Sequence, residues 1–271
     1  MTATETLDTV LITGASTGIG AAYADRLARR GHNLIVVARN KAQLQTLAEQ
    51  LAQKYGVKAE VLAADLTLPA DRARIEQRLS DDDAIGWLVN NAGMGGGGPL
   101  AAAALDTIET MIQLNVVAPS RLTGAVLPRL LARGRGSIIN IASALALAPE
   151  LSPGAYAATK SYVLTYTQSL LKEVGDRGVR VQAVLPGVVR TEIWQRSGGD
   201  INAIPAHMVM EVDELVDAAL AGYDLGETVT IPSLPDNEDW NRYNAARLWL
   251  APELSRNVAA DRYKSDIPED A

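Results

Sequence analysis

Cysteine is absent from the 271 residues, so no disulfide, thiolate nucleophile or cysteine metal site is available. Only two histidines occur, His32 and His207. They are too few for a multi-histidine metal site, and a Ser-His-Asp triad would have to use one of them. Phenylalanine is missing too, which leaves Leu, Met, Val, Tyr and Trp to fill the core. Basic charge is in deficit: 25 Lys and Arg against 32 Asp and Glu give −7. That balance argues against nucleic acid and anionic membrane as partners. No apolar run is long enough to span a bilayer, and residues 1–8 are polar, without the apolar stretch of a secretory leader. A soluble, cytoplasmic chain is the expectation.

Apolar residues make up 48% of the chain, enough for one large α/β core. Short β-branched runs alternate with amphipathic ones. Strands are expected at Thr9–Ile12, Leu34–Ala38, Lys58–Ala64, Trp87–Val89, Gly136–Ala142, Val179–Leu185 and Glu227–Ile231. Helices are expected to about Arg30, over Lys41–Tyr55, Pro69–Leu79 and Tyr156–Val174, over Glu211–Tyr223 and around Trp240–Leu250. Leu105–Arg133 reads as one long helix with Pro119 and Pro128 inside it, disturbed near Asn115. The alternation predicts a single Rossmann-type domain, a doubly wound, seven-stranded parallel sheet with helices on both faces. Residues 232–271 are a C-terminal helical extension of it, and no internal repeat or linker breaks the chain.

Three features carry chemistry. Tyr156 and Lys160 are four apart on a helix, so hydroxyl and ammonium share one face. A fixed ammonium favours the phenolate, which makes Tyr156 a candidate general acid. The first strand runs into Thr13-Gly14-Ala15-Ser16-Thr17-Gly18-Ile19-Gly20 and then a helix, an arrangement that turns backbone N–H groups toward an anion. Gly14 lets the chain turn, Gly18 lets a pyrophosphate approach, and Gly20 permits close packing. The second strand ends at Arg39-Asn40, about 20 residues past the turn, where an NAD site would carry an acid. Asp65, before Leu66, is either an acceptor for an adenine amino group or a turn cap before Pro69. Four consecutive glycines, 95–98, make either a loop without a role or open space beside a ligand. A hydrolase using Ser143 and His207 is excluded because Ser143 lacks the G-x-S-x-G elbow.

The glycine turn, Asn90-Asn91-Ala92-Gly93, Asn115, Ser143, Tyr156 with Lys160, and Pro186-Gly187 together resemble the short-chain dehydrogenase/reductase family, in its order and spacing, over about Thr9–Thr191. The resemblance implies Tyr156 as acid/base and Lys160 as the group that lowers its pKa and bonds the nicotinamide ribose. It implies Ser143 on the substrate carbonyl, and Asn115 holding a helix distortion and a proton-relaying water. Ser16, Thr17 and Ile19 of the turn, with Asn91, Ala92 and Gly93, would border the cofactor. Pro186, Gly187, Val189 and Thr191 would hold the nicotinamide. Arg39 in place of an acid implies NADP(H) over the weaker NAD(H).

The implied reaction is reversible reduction of a ketone or aldehyde, with a 3-oxoacyl-type reductase or a non-catalytic dinucleotide sensor as alternatives. The pocket would be bounded by Ser143, Leu145, Glu150, Leu151, the Gly93–Gly98 loop, Val188 and the segment around Trp194, mostly apolar or small, so the substrate is expected to be small, neutral and hydrophobic. Arg190 and Arg196 are the nearby cations that would favour an anion instead. The tail departs from the commonest family pattern, which sets a homodimer beside the usual homotetramer.

Overall fold

The computed structural model describes residues 7–264 apart from 97, 153 and 197, and not the side chain of Arg196. The expectations for residues 1–6, Gly97, the Arg196 side chain and the last seven residues lie outside it. Two units are distinguished, Met1–Pro232 and Ser233–Ala271.

In the first unit β1 (Thr9–Thr13), β2 (Leu34–Ala38), β3 (Ala59–Ala63), β4 (Ile85–Asn90), β5 (Gly136–Ile141), β6 (Val179–Val184) and β9 (Val229–Thr230) form one sheet. Its order is β3-β2-β1-β4-β5-β6-β9, every pair parallel. The connections are α1 (Gly18–Arg29), α2 (Lys41–Tyr55), α3 (Pro69–Asp81), the pair α4 (Leu105–Ile112) and α5 (Ala118–Ala132), α6 (Tyr156–Val174) and α8 (Val212–Leu225). The doubly wound sheet expected from the alternation is what forms.

Strand alternation sorts the core into two layers, as period 2 requires. Val10, Ile12, Val36 and Val89 pack with Tyr23, Leu27, Leu44 and Val216 from α1, α2 and α8. Leu11, Ile35, Val37 and Leu88 pack on the other face with Ile75, Leu122, Val126 and Leu170 from α3, α5 and α6. A buried polar ladder ties that second face to its helices. Asn90 Nδ2 donates to Thr123 (3.1 Å) and Asn140 (2.9 Å), and Asn140 Nδ2 donates to Thr167 (2.9 Å).

Helix ends follow local chemistry. Asn40 caps α2 through its side-chain carbonyl, 3.1 Å from the Gln43 N–H, and Gly56 ends it at φ +71°. The single long helix expected over Leu105–Arg133 is interrupted. A π-helical turn, Gln113–Val117, separates α4 from α5. Pro119 has no N–H to give the Asn115 carbonyl four residues back, so the ladder resets over five. Unanticipated elements are the parallel pair of β7 (Val188–Val189) with β8 (Val209–Met210) and a short helix α7 (Ile193–Arg196), the latter inside the stretch 192–205, whose sequence pattern is irregular.

In the second unit α9 (Asn237–Trp249) starts at an Asp236 cap, whose carboxylate accepts from the Glu238 N–H at 2.9 Å. Within α9 the rings of Trp240 and Tyr243 are 5.6 Å apart.

Candidate active site

The C-terminal ends of β1, β4, β5 and β6 deliver four loops to one edge of the sheet, and the order reverses between β1 and β4. Ligands of open α/β sheets bind at that switch point.

The glycine turn is held from across the switch. Thr13 Oγ1 accepts the N–H groups of Asn91 and Ala92, both at 3.0 Å. Asn91 Nδ2 donates to Thr13 O (2.9 Å) and Gly14 O (3.1 Å). Gly14 (φ +65°) and Gly18 (φ +57°) occupy the left-handed region. A Cβ on Gly20 would stand 2.3 Å from Gly14 O, so only glycine lets α1 start this close to β1. Thr17 provides no side-chain cap for α1, and no acid sits in its first turn. An uncapped helix start without an acid leaves its first N–H groups for an outside anion. That donor set fits a dinucleotide pyrophosphate, with Ser16, Thr17 and Ile19 along the turn.

Arg39 is exposed and makes no ion pair or hydrogen bond among the described residues, so its guanidinium stands free at the end of β2. Asn40 is oriented by its carbonyl, which caps α2, and its side-chain amide N–H groups remain as donors. Asp65 serves as the turn cap: one carboxylate oxygen accepts from the Thr67 N–H (3.0 Å) and hydroxyl (2.7 Å). Leu66 is a core residue, 4% exposed, which leaves only its backbone for a ligand.

Tyr156 opens α6, and Lys160 lies one turn on, buried. The Lys160 ammonium donates to Ile141 O at 2.9 Å and sits 5.8 Å from the Tyr156 ring centre. Burial pulls the lysine down to about 8. Burial also pushes the Tyr156 hydroxyl up to about 12, against a smaller opposing pull from the neighbouring Ser143 hydroxyl. This is the direction opposite to the lowering expected from the ammonium: burial dominates at the hydroxyl, and the Ser143 hydroxyl is the group that opposes it. Ser143 is itself buried. Its hydroxyl accepts from the Leu145 N–H at 3.2 Å, reaches Pro186 O only at 3.5 Å, and faces the Tyr156 hydroxyl.

Asn115 lies buried in the π-helical turn and clamps Met94: its Oδ1 accepts the Met94 N–H and its Nδ2 donates to Met94 O, both at 2.9 Å. The same Nδ2 donates to Thr159 Oγ1 (3.0 Å), which donates to Tyr156 O (2.7 Å). Three segments are thus joined: the loop after β4, the π-helical turn and the first turn of α6. A Cβ on Gly93 would lie 3.3 Å from Asn115 Oδ1 and 3.5 Å from the Lys160 ammonium. The motif reading missed Thr13 and Thr159 as braces, although Thr159 lies inside the Tyr156–Lys160 stretch. Gly95, in the glycine run, and Ile193, in the segment around Trp194, come together beside Tyr156: a Cβ on Gly95 would lie 3.8 Å from Ile193 Cδ1 and from Tyr156 Cε2.

After β6, Pro186 and Val189 are buried and Gly187 is exposed. A Cβ on Gly18 would meet the Thr191 side chain at 3.5 Å, so that residue faces the glycine turn. The Trp194 indole donates to Val189 O at 2.9 Å. Leu145, Val188 and Trp194 are half-buried, whereas Glu150 is exposed and Leu151 is 75% exposed, so these two can form only an outer rim. Arg190 is paired with Glu211 at 2.8 Å, which removes one candidate for binding an anionic substrate.

A family model described as short chain dehydrogenase matches residues 8–202. A short-chain dehydrogenase from Sphingobium yanoikuyae, solved in complex with NADPH, superposes with a TM-score of 0.92 at 50% identity, covering 95% of this chain and 100% of that one. The bulky-bulky ketone specific alcohol dehydrogenase from Comamonas testosteroni gives a TM-score of 0.88 at 47% identity, covering 95% and 99%. The very-long-chain 3-oxoacyl-CoA reductase of Mus musculus is 35% identical over 187 residues, 68% of this chain and 60% of that relative's length. No helix among the described residues is long and apolar enough to cross a membrane.

Proposed function

The chain belongs to the short-chain dehydrogenase family, and from that premise we propose that it reduces a neutral, apolar ketone or aldehyde to the alcohol at the expense of NADPH. The observation that carries the reading is Tyr156 opening α6 with the Ser143 hydroxyl facing its own and the buried Lys160 ammonium 5.8 Å from its ring centre. NADPH, when bound, supplies the hydride.

The chain's residues do the rest. The first N–H groups of α1 hold the pyrophosphate, and the free Arg39 takes the 2′-phosphate. The Ser143 and Tyr156 hydroxyls donate to the carbonyl oxygen, where negative charge develops. Tyr156, kept protonated by its burial, gives its proton to that oxygen. Lys160 places positive charge beside the phenolate left behind. Asn115 and Thr159 hold the loop after β4 against the start of α6 while this happens.

The substrate is read as a ketone with two large apolar arms. Two observations support this: the likeness to the Comamonas enzyme runs over nearly the whole chain, and Arg190 is already paired. The rodent relative favours a second reading, a long-chain 3-oxoacyl thioester. A homodimer or homotetramer is the proposed assembly.

NADPH absorbance decay with aryl alkyl ketones and a 3-oxoacyl thioester decides between them. Wild type should turn over the ketones faster, and Tyr156→Phe should bind NADPH normally yet lose about 10²–10⁴-fold in kcat. A Tyr156→Phe variant with most of its rate, or a protein that binds NADPH and reduces nothing in the panel, would refute the proposal.

A further inference from the structure

The loop after β4 carries more glycine than its backbone requires. Gly96 (φ +105°) and Gly98 (φ +59°) lie in the left-handed region, where a side chain is strained. Gly93 is tight, with Asn115 Oδ1 3.3 Å and the Lys160 ammonium 3.5 Å from where a Cβ would stand, so a side chain there presses on two groups of the site. Gly95 meets neither condition. Its φ lies outside the left-handed region, and a Cβ there would make ordinary contact with Ile193 Cδ1 and Tyr156 Cε2, both at 3.8 Å. Fold and packing would therefore accept alanine. Cε2 is the ring carbon next to the one that bears the hydroxyl. The space left at Gly95 therefore opens beside the end of the ring that carries the hydroxyl, and a carbonyl oxygen bonded to that hydroxyl at about 2.5–3.0 Å would have its substituents within reach of it.

We propose that Gly95 is a specificity-determining position: the missing side chain is the room for one apolar arm of the carbonyl substrate, bounded by the Tyr156 ring edge and Ile193. The proposal rests on the carbonyl-reductase reading and adds to it which position limits the size of that arm. A side chain at 95 grows into the space the arm uses and leaves the glycine turn and Arg39 untouched.

Gly95→Ala and Gly95→Val test it with acetophenone and valerophenone, which share the phenyl group and differ in a methyl or butyl arm. The measurements are the kcat/KM ratio of butyl to methyl ketone, the enantiomer formed, the NADPH dissociation constant and Tm. Gly95→Ala should keep or raise Tm, because the chain loses freedom only in the unfolded state. NADPH affinity should stay at the wild-type value in both variants. In Gly95→Val the ratio should fall by about 10–200-fold, the discrimination a crowded apolar pocket gives, or the favoured enantiomer should invert as the arms exchange places. A wild type active on both ketones, with ratio and enantiomer unmoved in Gly95→Val, overturns the proposal. So does a Gly95→Ala variant that loses several degrees of Tm, because the glycine would then serve the backbone. A wild type that binds NADPH and reduces neither ketone overturns the carbonyl-reductase reading instead, and the proposal falls with it.

Discussion

Tyr156 and Lys160 are driven apart by one cause. Burial disfavours charge, so the phenol holds its proton up to about 12 and the ammonium releases its own at about 8. Reduction needs the phenol protonated and the lysine charged, and both conditions hold below about 8. The kcat for reduction should be flat on the acid side of pH 8 and decline above it, while alcohol oxidation, which needs the phenolate, should rise with pH. Reduction that accelerates through pH 8 would show that the charge of Lys160 is not used. Arg39 makes a second prediction at this scale. A charge-assisted hydrogen bond is worth about 1.5–3 kcal/mol, or roughly ten- to a hundredfold in affinity. Wild type should prefer NADPH over NADH by at least about tenfold in kcat/KM, and Arg39→Ala should lose that preference by weakening NADPH alone. Unchanged discrimination in Arg39→Ala would remove the residue from the site.

Among the elements, the start of α1 is the least tolerant. A Cβ at position 20 meets backbone, the carbonyl of Gly14, and cannot be relieved by a rotamer change. Overpacking of this kind costs about 1–3 kcal/mol, roughly 2–12 °C of Tm in a domain of this size. Gly20→Ala should show that loss together with weaker NADPH binding; wild-type values for both would mean that β1 and α1 are not held at this spacing. Such elements were legible because their causes are local. Asn40 and Gly56 punctuate α2, and the Leu44 and Leu51 spacing sets its buried face. The disturbance near Asn115 was legible through Pro119, but its π-helical form was not, because that depends on which carbonyl the next free N–H finds. The pairing of Val188–Val189 with Val209–Met210 is parallel and joins residues about twenty apart across the Gly198-Gly199 stretch, so no hairpin turn announces it and only tertiary pairing defines it. In the site, the motifs located Tyr156, Lys160, Ser143 and Asn115, whereas the Thr13 and Thr159 braces depend on which hydroxyl a distant amide meets in the folded chain.

At the scale of the molecule, α4 and α6 expose Leu105, Ile112 and Tyr162, apolar or aromatic side chains that a second copy can cover. Sedimentation should give at least twice the 28.8 kDa chain mass, and a stable monomer under assay conditions would oppose an oligomer. The order of the strands also bears on how the chain is made. The second and third strands each add outside the one before on one side of β1; the fourth, fifth, sixth and last each add outside the one before on the other. As the chain leaves the ribosome, each newly made strand therefore finds a finished neighbour at an open edge, and none has to be inserted between two already paired. The glycine turn and Thr191 are separated by about 10–35 s of synthesis at the usual 5–20 residues per second. The sheet can grow by accretion through that interval, and the catalytic corner closes only when the sixth strand has joined.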